Sequence, residues 1–255
     1  MNQRTGETPA IKVDDLTVRY GDDVILKEVT MEVFRGEIVV IAGRSGSGKS
    51  TLLRHMVGLS KPSSGCVEIN GVDITTASAQ QLRTVRKRTG VLFQSSGLLS
   101  SMTLAENVAL PLSEFTDLPS SCLEAVVCMK LALVGLEDYE AHFPSELSGG
   151  MRKRAGIARA MALDPDVLFL DEPFAGLDPV TSADLDLLVK RINRGMGTTM
   201  VIVSHELESI FSLAGRVVML DRAERGIIAQ GDPGTLRDKP PDLRVRHFFH
   251  REIEQ

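Results

Sequence analysis

The feature that most constrains this chain is a short apolar run that stops abruptly at a glycine. Residues 37–42 read Glu-Ile-Val-Val-Ile-Ala, and Gly43-Arg44-Ser45-Gly46-Ser47-Gly48-Lys49-Ser50 follows at once. A β-branched run without polar alternation predicts a strand buried on both faces. From Lys49 onward Leu52, Leu53, Met56 and Val57 fall at helical spacing. Strand, glycine-rich turn and helix in direct succession is the context in which G-x-x-x-x-G-K-[ST] wraps a phosphate. Glycines let the main chain close on phosphate oxygens with successive N–H groups, and the helix aims its positive end at the same oxygens. Lys49 would neutralise the β- and γ-phosphates, and the Ser50 hydroxyl would be a Mg²⁺ ligand.

The rest of the chain supplies the setting. Segments 11–18, 29–33, 66–70 and 90–93 read as strands, and residues 95 to about 161 turn helical. In that block Leu123, Val126, Val127, Leu131 and Val134 mark one buried helix face. Strands then alternate with helices: 167–170, 181–194, Thr199–Val203, 206–213 and 216–220. Such alternation predicts an α/β fold with a mostly parallel central sheet covered on both sides. Pro240-Pro241 breaks the chain, and 243–252 predicts a short basic-aromatic helix.

Composition narrows the function classes. No apolar run reaches the roughly 18 residues of a membrane span, and residues 1–10 are too polar for a secretory signal. The chain is therefore expected in the cytoplasm. Cys66, Cys122 and Cys128 are scattered and read as reduced core or boundary thiols. The net charge of −5 argues against a nucleic-acid partner. Two basic clusters, Arg83/Arg86/Lys87/Arg88 and Arg152/Lys153/Arg154, read as solvated helix faces.

A second chemical element lies downstream. The apolar run 167–170 ends in Asp171-Glu172, which puts two carboxylates at a strand's C-terminal end, where ligands gather in parallel sheets. On its own the pair could be a charged turn. Beside a phosphate loop, Asp171 is placed to hold Mg²⁺ and Glu172 to polarise a water for attack on the γ-phosphate.

The order of the remaining motifs is specific. Gln94 follows the strand after the first βα unit. Leu147-Ser148-Gly149-Gly150-Met151 precedes the carboxylates, Ala175-Gly176-Leu177-Asp178 follows them, and His205 closes the strand Thr199–Val203. From about residue 10 to 235 this set resembles the nucleotide-binding domain of ABC ATPases. The resemblance implies a P-loop fold with an N-terminal antiparallel β element. It implies a nucleotide-binding domain over residues 10–240, a helical subdomain inserted at about 95–162, and a short tail at 241–255. It further implies that Tyr20 stacks on adenine and that ATP is held by Gly43 through Ser50 together with Thr51. Gln94 would touch Mg²⁺ and the attacking water, and His205 would sense the γ-phosphate. Ser148, Gly149 and Gly150 would open a helix toward the nucleotide of a second copy, consistent with a Ser cap and glycines forming an anion site. Asp178 would cross that dimer interface.

Met151 in place of the frequent Gln, and Ala175 where many importers have Ser, remove no catalytic group but argue against a close match to amino-acid or sugar importers. Thr84-Val85-Arg86-Lys87-Arg88, Leu92-Phe93-Gln94-Ser95, Asn107-Val108-Ala109-Leu110-Pro111-Leu112, Pro144-Ser145-Glu146-Leu147 and Arg244-Val245-Arg246-His247-Phe248 resemble the Mla-type (MlaF-like) phospholipid-transporter ATPases. That resemblance implies an ATPase on the inner membrane's cytoplasmic face, bound to a permease and an Mce-domain lipid-binding protein, with a tail that reaches the neighbouring ATPase. Other ABC importers, exporters or cell-division ATPases share the same motor. An ABC ATPase of DNA repair or translation would carry a long coiled-coil insertion or tandem halves, which this sequence lacks. A non-hydrolysing regulatory module would not need Glu172 and His205.

Overall fold

A computed structural model describes residues 8–252. In chain order its elements begin with β1 (Ile11–Tyr20), β2 (Asp23–Val33), β3 (Ile38–Ala42), α1 (Lys49–Met56), β4 (Ser64–Ile69), β5 (Val72–Asp73), α2 (Ala79–Lys87) and β6 (Thr89–Leu92). Helices α3 (Leu104–Phe115), α4 (Ser120–Leu133) and α5 (Gly149–Ala160) come next. After them run β7 (Val167–Asp171), α6 (Pro179–Met196), β8 (Thr199–Val203), α7 (Leu207–Leu213), β9 (Arg216–Asp221), β10 (Gly226–Gly231), α8 (Pro233–Asp238) and α9 (Leu243–His250).

Two sheets form. One is antiparallel, ordered β2-β1-β4-β5, and the other is ordered β10-β9-β3-β8-β7-β6. In the second, β9, β3, β8, β7 and β6 run parallel, and β10 closes one edge antiparallel to β9. All five residues of β3, β7 and β8 are buried, as expected of parallel strands covered on both faces. Alternate side chains serve different cores, because successive Cβ atoms point to opposite faces of a strand. Val39 and Ile41 pack with Leu52, Leu53 and Met56 of α1 and with Ile11, Leu16 and Leu26 of the antiparallel sheet. Val40 and Ala42 pack on the other side with the helices, including Leu104, Val108, Leu131, Ile157, Leu188 and Ile210.

Elements missed or shortened in the sequence reading share one property. Helix α2 buries no residue, so it has no apolar stripe to betray it; a Ser78–Gln81 capping box starts it instead. Strand β2 reaches back to Asp23, beyond the predicted 29–33, because pairing with β1 continues across Val24 and Leu26, past the exposed Lys27-Glu28 that interrupts the apolar alternation. Strand β10 is an edge strand that contains Gly, Ala and Gln. The predicted face of α4 is present: Val127, Leu131 and Val134 are buried, with Leu123 and Val126 packed against the same core. Of the three thiols, all free, Cys122 and Cys128 lie on the surface rather than in a core, because they fall on the solvent side of α4. Arg83, Arg86, Lys87 and Arg88 are solvated as expected. Lys153 is not, being only 7% exposed, because its helix position turns it inward.

Topology brings distant motifs together. Strands β3, β8, β7 and β6 are consecutive neighbours in the sheet and run parallel. Adjacent strands lie ~4.8 Å apart. Their C-terminal ends therefore deliver Gly43, Ser204-His205, Asp171-Glu172 and Phe93-Gln94 to one rim, at the end where open parallel sheets bind ligands.

Candidate nucleotide site

The loop leaving β3 is built around glycine. Gly43 has φ 144°, and a Cβ there would lie 2.4 Å from the Leu220 carbonyl oxygen, so no larger residue fits. Gly48, at the N-cap of α1, has φ 95°, and its would-be Cβ meets Leu26 Cδ2 at 2.7 Å. The loop is thus held against β9 on one side and β2 on the other. Lys49 is buried, and its ammonium donates to the main-chain oxygens of Gly43 (2.9 Å) and Arg44 (3.1 Å). Burial pushes its pKa down, while the carboxylates of Glu172 and Asp171 pull it back up. The Ser50 hydroxyl donates to Asp171 Oδ1 at 3.0 Å, joining the first turn of α1 to the end of β7.

Glu172 is held in a left-handed conformation, φ 48°, which a non-glycine residue adopts at a cost of ~1–2 kcal/mol. Its N–H donates to the Val203 carbonyl at 3.0 Å, extending the β7–β8 ladder through the strained residue. Both carboxylate oxygens meet His205 Nδ1, at 3.0 and 2.9 Å. An ionised carboxylate only accepts, so Nδ1 carries the proton that is shared between them.

Gly43, Arg44, Ser45, Lys49, Gln94, Glu172 and His205 wall one open cavity of about 580 Å³. That volume is ordinary for a small-molecule site. Leu207 of α7 and four residues at the far end of the chain, His247, Phe248, Arg251 and Glu252, complete the wall. The last four are there because α9 docks on its own subunit: Val245 and Phe249 are buried, and Phe249 packs on Phe211 of α7. The 243–252 helix was legible in the sequence, but its seat beside the rim was not.

The remaining predicted residues lie elsewhere. Tyr20 ends β1, is half exposed and does not line this cavity. Ser148 caps α5, its Oγ accepting from the Met151 N–H at 3.3 Å. Gly149 lines a separate cavity of about 340 Å³ with Gln94, Lys153 and Gly176. Asp178 caps α6, accepting from the N–H groups of Val180 and Thr181 and from the Thr181 hydroxyl, which hold its carboxyl below the usual range. Two contributors went unread. Lys153 donates to main-chain oxygens of the rim, and the buried amide of Asn107 pins the loop after Gln94. Polar residues at helix spacing carry no signal that separates an inward position from a solvated one.

The ABC transporter family model matches residues 26–175 of the chain. The chain belongs to the ABC transporter family.

Relatives and solved structures agree with that placement. The intermembrane phospholipid transport system ATP-binding protein MlaF of Haemophilus influenzae is 42% identical over 244 residues, which cover 96% of this chain and 91% of that protein. The methionine import ATP-binding protein MetN of Brucella abortus is also 42% identical, over 225 residues that cover 88% of this chain but 60% of MetN. The signature Met151 and the Ala175 turn therefore do not by themselves set the chain apart from amino-acid importers. A dimeric post-hydrolysis structure of the ATP-binding cassette MJ0796 with ADP and Pi superposes with TM-score 0.80 at 30% identity, covering 88% of this chain and 98% of that one. This ABC cassette is an α/β P-loop fold and an ATP-binding ATPase subunit of a transporter. No helix among its described residues is long and apolar enough to cross a membrane.

Proposed function

We propose that this chain is the ATP-hydrolysing motor of a transporter that moves phospholipid between membranes of the cell envelope. The observation that carries the hydrolytic reading is convergence: Lys49, Gln94, Glu172 and His205 wall one cavity, with the Ser50–Asp171 pair at its floor strand. ATP lies with its phosphates on Gly43, Arg44, Ser45, Gly46, Ser47, Gly48, Lys49, Ser50 and Thr51, and with its adenine on Tyr20. The Ser47 hydroxyl is buried, with no hydrogen-bond partner among the described residues, and a phosphate oxygen would satisfy it.

Mg²⁺ fits the donor set. Ser50, Asp171 and Gln94 offer hard oxygens, and no group of three His, Cys, Asp or Glu among the described residues could hold a metal alone. That is the pattern for Mg²⁺, which is shared with substrate phosphates rather than caged by protein. When bound, it supplies neutralising charge to the phosphate oxygens. Glu172 takes the proton of the attacking water. His205 orients that carboxylate through Nδ1 and is available to the γ-phosphate.

Ser148, Gly149 and Gly150 do not line the phosphate cavity of their own chain. A Ser-capped helix start, with Ser148 exposed, suits the nucleotide of a second copy, so two composite sites form in a homodimer, with Asp178 at the interface. The groove of about 360 Å³ lined by Val91, Leu110, Pro111, Phe115 and Leu163, with Arg86 and Arg159 at its edge, suits a permease segment. The chain is then peripheral on the cytoplasmic face of the inner membrane, with an Mce-domain lipid-binding protein in the complex and no nucleic-acid partner.

The phospholipid reading rests on the Mla-type stretches of the sequence together with the likeness to MlaF; a methionine-type importer, at equal identity to MetN, is the alternative. Two measurements test the reading. Glu172→Gln abolishes phosphate release while ATP still binds; undiminished hydrolysis refutes the base assignment. Pulling the chain from solubilised native membranes brings down a permease and phospholipid; co-purification of an amino-acid-binding protein without lipid refutes the cargo.

A further inference from the structure

Lys153 lies in the second turn of α5 and is only 7% exposed. A buried ammonium needs strong compensation. Lys153 Nζ finds it at two main-chain oxygens from separate segments, donating to Glu172 O at 3.0 Å and to Gln94 O. The carboxylates of Asp171, Glu172 and Glu206 favour its charged form, against a larger opposing effect of burial. Both gripped residues are among those that wall the nucleotide cavity. The β6–β7 ladder pairs the two chains up to Leu92 and Leu170, short of Gln94 and Glu172. A cavity of about 340 Å³ opens among Gln94, Ser95, Gly149, Lys153, Gly176 and Leu177. The ammonium lines that cavity and bridges the two main chains just beyond the end of the ladder.

We propose that Lys153 is a positioning residue for ATP hydrolysis, clamping the main chains of Gln94 and Glu172 to helix α5. The inference rests on Glu172 and Gln94 acting on nucleotide, as proposed above. Because α5 is one unbroken helix from Gly149 to Ala160, movement of its N-terminus is carried to Lys153 and so to both residues. The helix start that would meet a neighbour's nucleotide is thereby tied to the carboxylate of its own site. Lys49 grips the opposite side of the rim in the same way, through the oxygens of Gly43 and Arg44. Lys130 provides the contrast. It is equally buried but pairs with Asp164, and it lines no part of the site.

The test uses the full-length chain with the membrane proteins that co-purify. Steady-state hydrolysis, nucleotide affinity and thermal melting are measured for Lys153→Met, Lys153→Gln and Lys153→Arg, with Lys130→Met as the stability control. Lys153→Met lowers kcat at least about tenfold with KM for ATP within about twofold, the signature of misplaced catalytic groups rather than lost binding. Lys153→Arg, which keeps charge and donors, recovers most of kcat; Lys153→Gln does not. Lys130→Met lowers the melting temperature and leaves kcat unchanged. If Lys153→Met does not fold, the comparison of Arg with Gln decides. The inference is overturned if Lys153→Met, or failing that Lys153→Gln, keeps kcat within about twofold of wild type, or if Arg does no better than Gln. A parallel Glu172→Gln variant separates the two readings: turnover by that variant removes the premise, whereas an inactive Glu172→Gln beside a fully active Lys153 variant removes only the clamp.

Discussion

Asn107→Ala is expected to destabilise the protein by about 3 kcal/mol. Asn107 is completely buried in the first turn of α3. Its Oδ1 accepts from the Leu99 N–H at 2.8 Å, and its Nδ2 donates to the oxygens of Leu99 (3.1 Å), Met102 (3.1 Å) and Thr103 (2.9 Å). Two amide hydrogens shared among three carbonyls, plus one acceptor, amount to about three full bonds, each worth ~1 kcal/mol net. Part of the loop reaches solvent, since Leu99 is 43% exposed, so water can replace some of what is lost and the cost stays near that sum. For a chain of this size 3 kcal/mol corresponds to roughly 6–12 °C in Tm. Thermal melting followed by circular dichroism measures it. Asn107→Asp sharpens the test: it keeps the acceptor for Leu99 but turns a carboxylate toward three carbonyl oxygens, so it should melt below Asn107→Ala at neutral pH. Because the pinned loop begins one residue after Gln94, kcat should fall in both variants at temperatures where they are folded. A Tm within about 2 °C of wild type for Asn107→Ala, or an Asp variant more stable than the Ala variant, refutes this account of the loop.

Other outcomes follow from the same structure. Lys49→Ala should weaken ATP binding at least about tenfold in calorimetry, because a buried charge-assisted donor to phosphate is removed; unchanged affinity contradicts the phosphate-loop reading. Gly43→Ala should lower stability by roughly 1–3 kcal/mol in urea unfolding, since its Cβ would sit 2.4 Å from the Leu220 oxygen. Asp242 is held at about 2 by the guanidinium and N–H of Arg244, which also reaches Asp221 and Glu224. A depressed carboxylate stabilises the fold above its unfolded pKa of about 4 and loses that effect as pH falls toward 2. The Tm difference between wild type and Asp242→Asn should therefore be present at pH 5 and vanish near pH 2; a difference that grows on acidification has the wrong sign.

Local chemistry was the part most readily legible in the chain. The β3–loop–α1 unit announces itself because burial on both faces demands an unbroken β-branched run and the phosphate turn demands glycine where φ is positive. The Ser148 cap and the carboxylates ending β7 are likewise short-range signals. Elements without a regular apolar stripe left none: α2 buries nothing, and β10 is a short edge strand bounded by glycines. Lys153 was misread for a related reason. Arg152, Lys153 and Arg154 look alike in sequence, and only the direction of the helix decides which one turns inward.

The sequence by itself determined the phosphate loop, the carboxylate pair, their order and the family those motifs mark. Each of these rests on residues adjacent along the chain, where backbone conformation and residue type suffice. Only the tertiary structure decided which distant residues share a rim. The order β3-β8-β7-β6 sets Gly43, His205, Glu172 and Gln94 side by side; α9 folds back to wall the same cavity; and the Lys153 ammonium finds the Gln94 and Glu172 oxygens. Strand order and helix docking are set by the summed burial of many side chains. No local pattern encodes that sum, so no reading of neighbours along the chain could have supplied it.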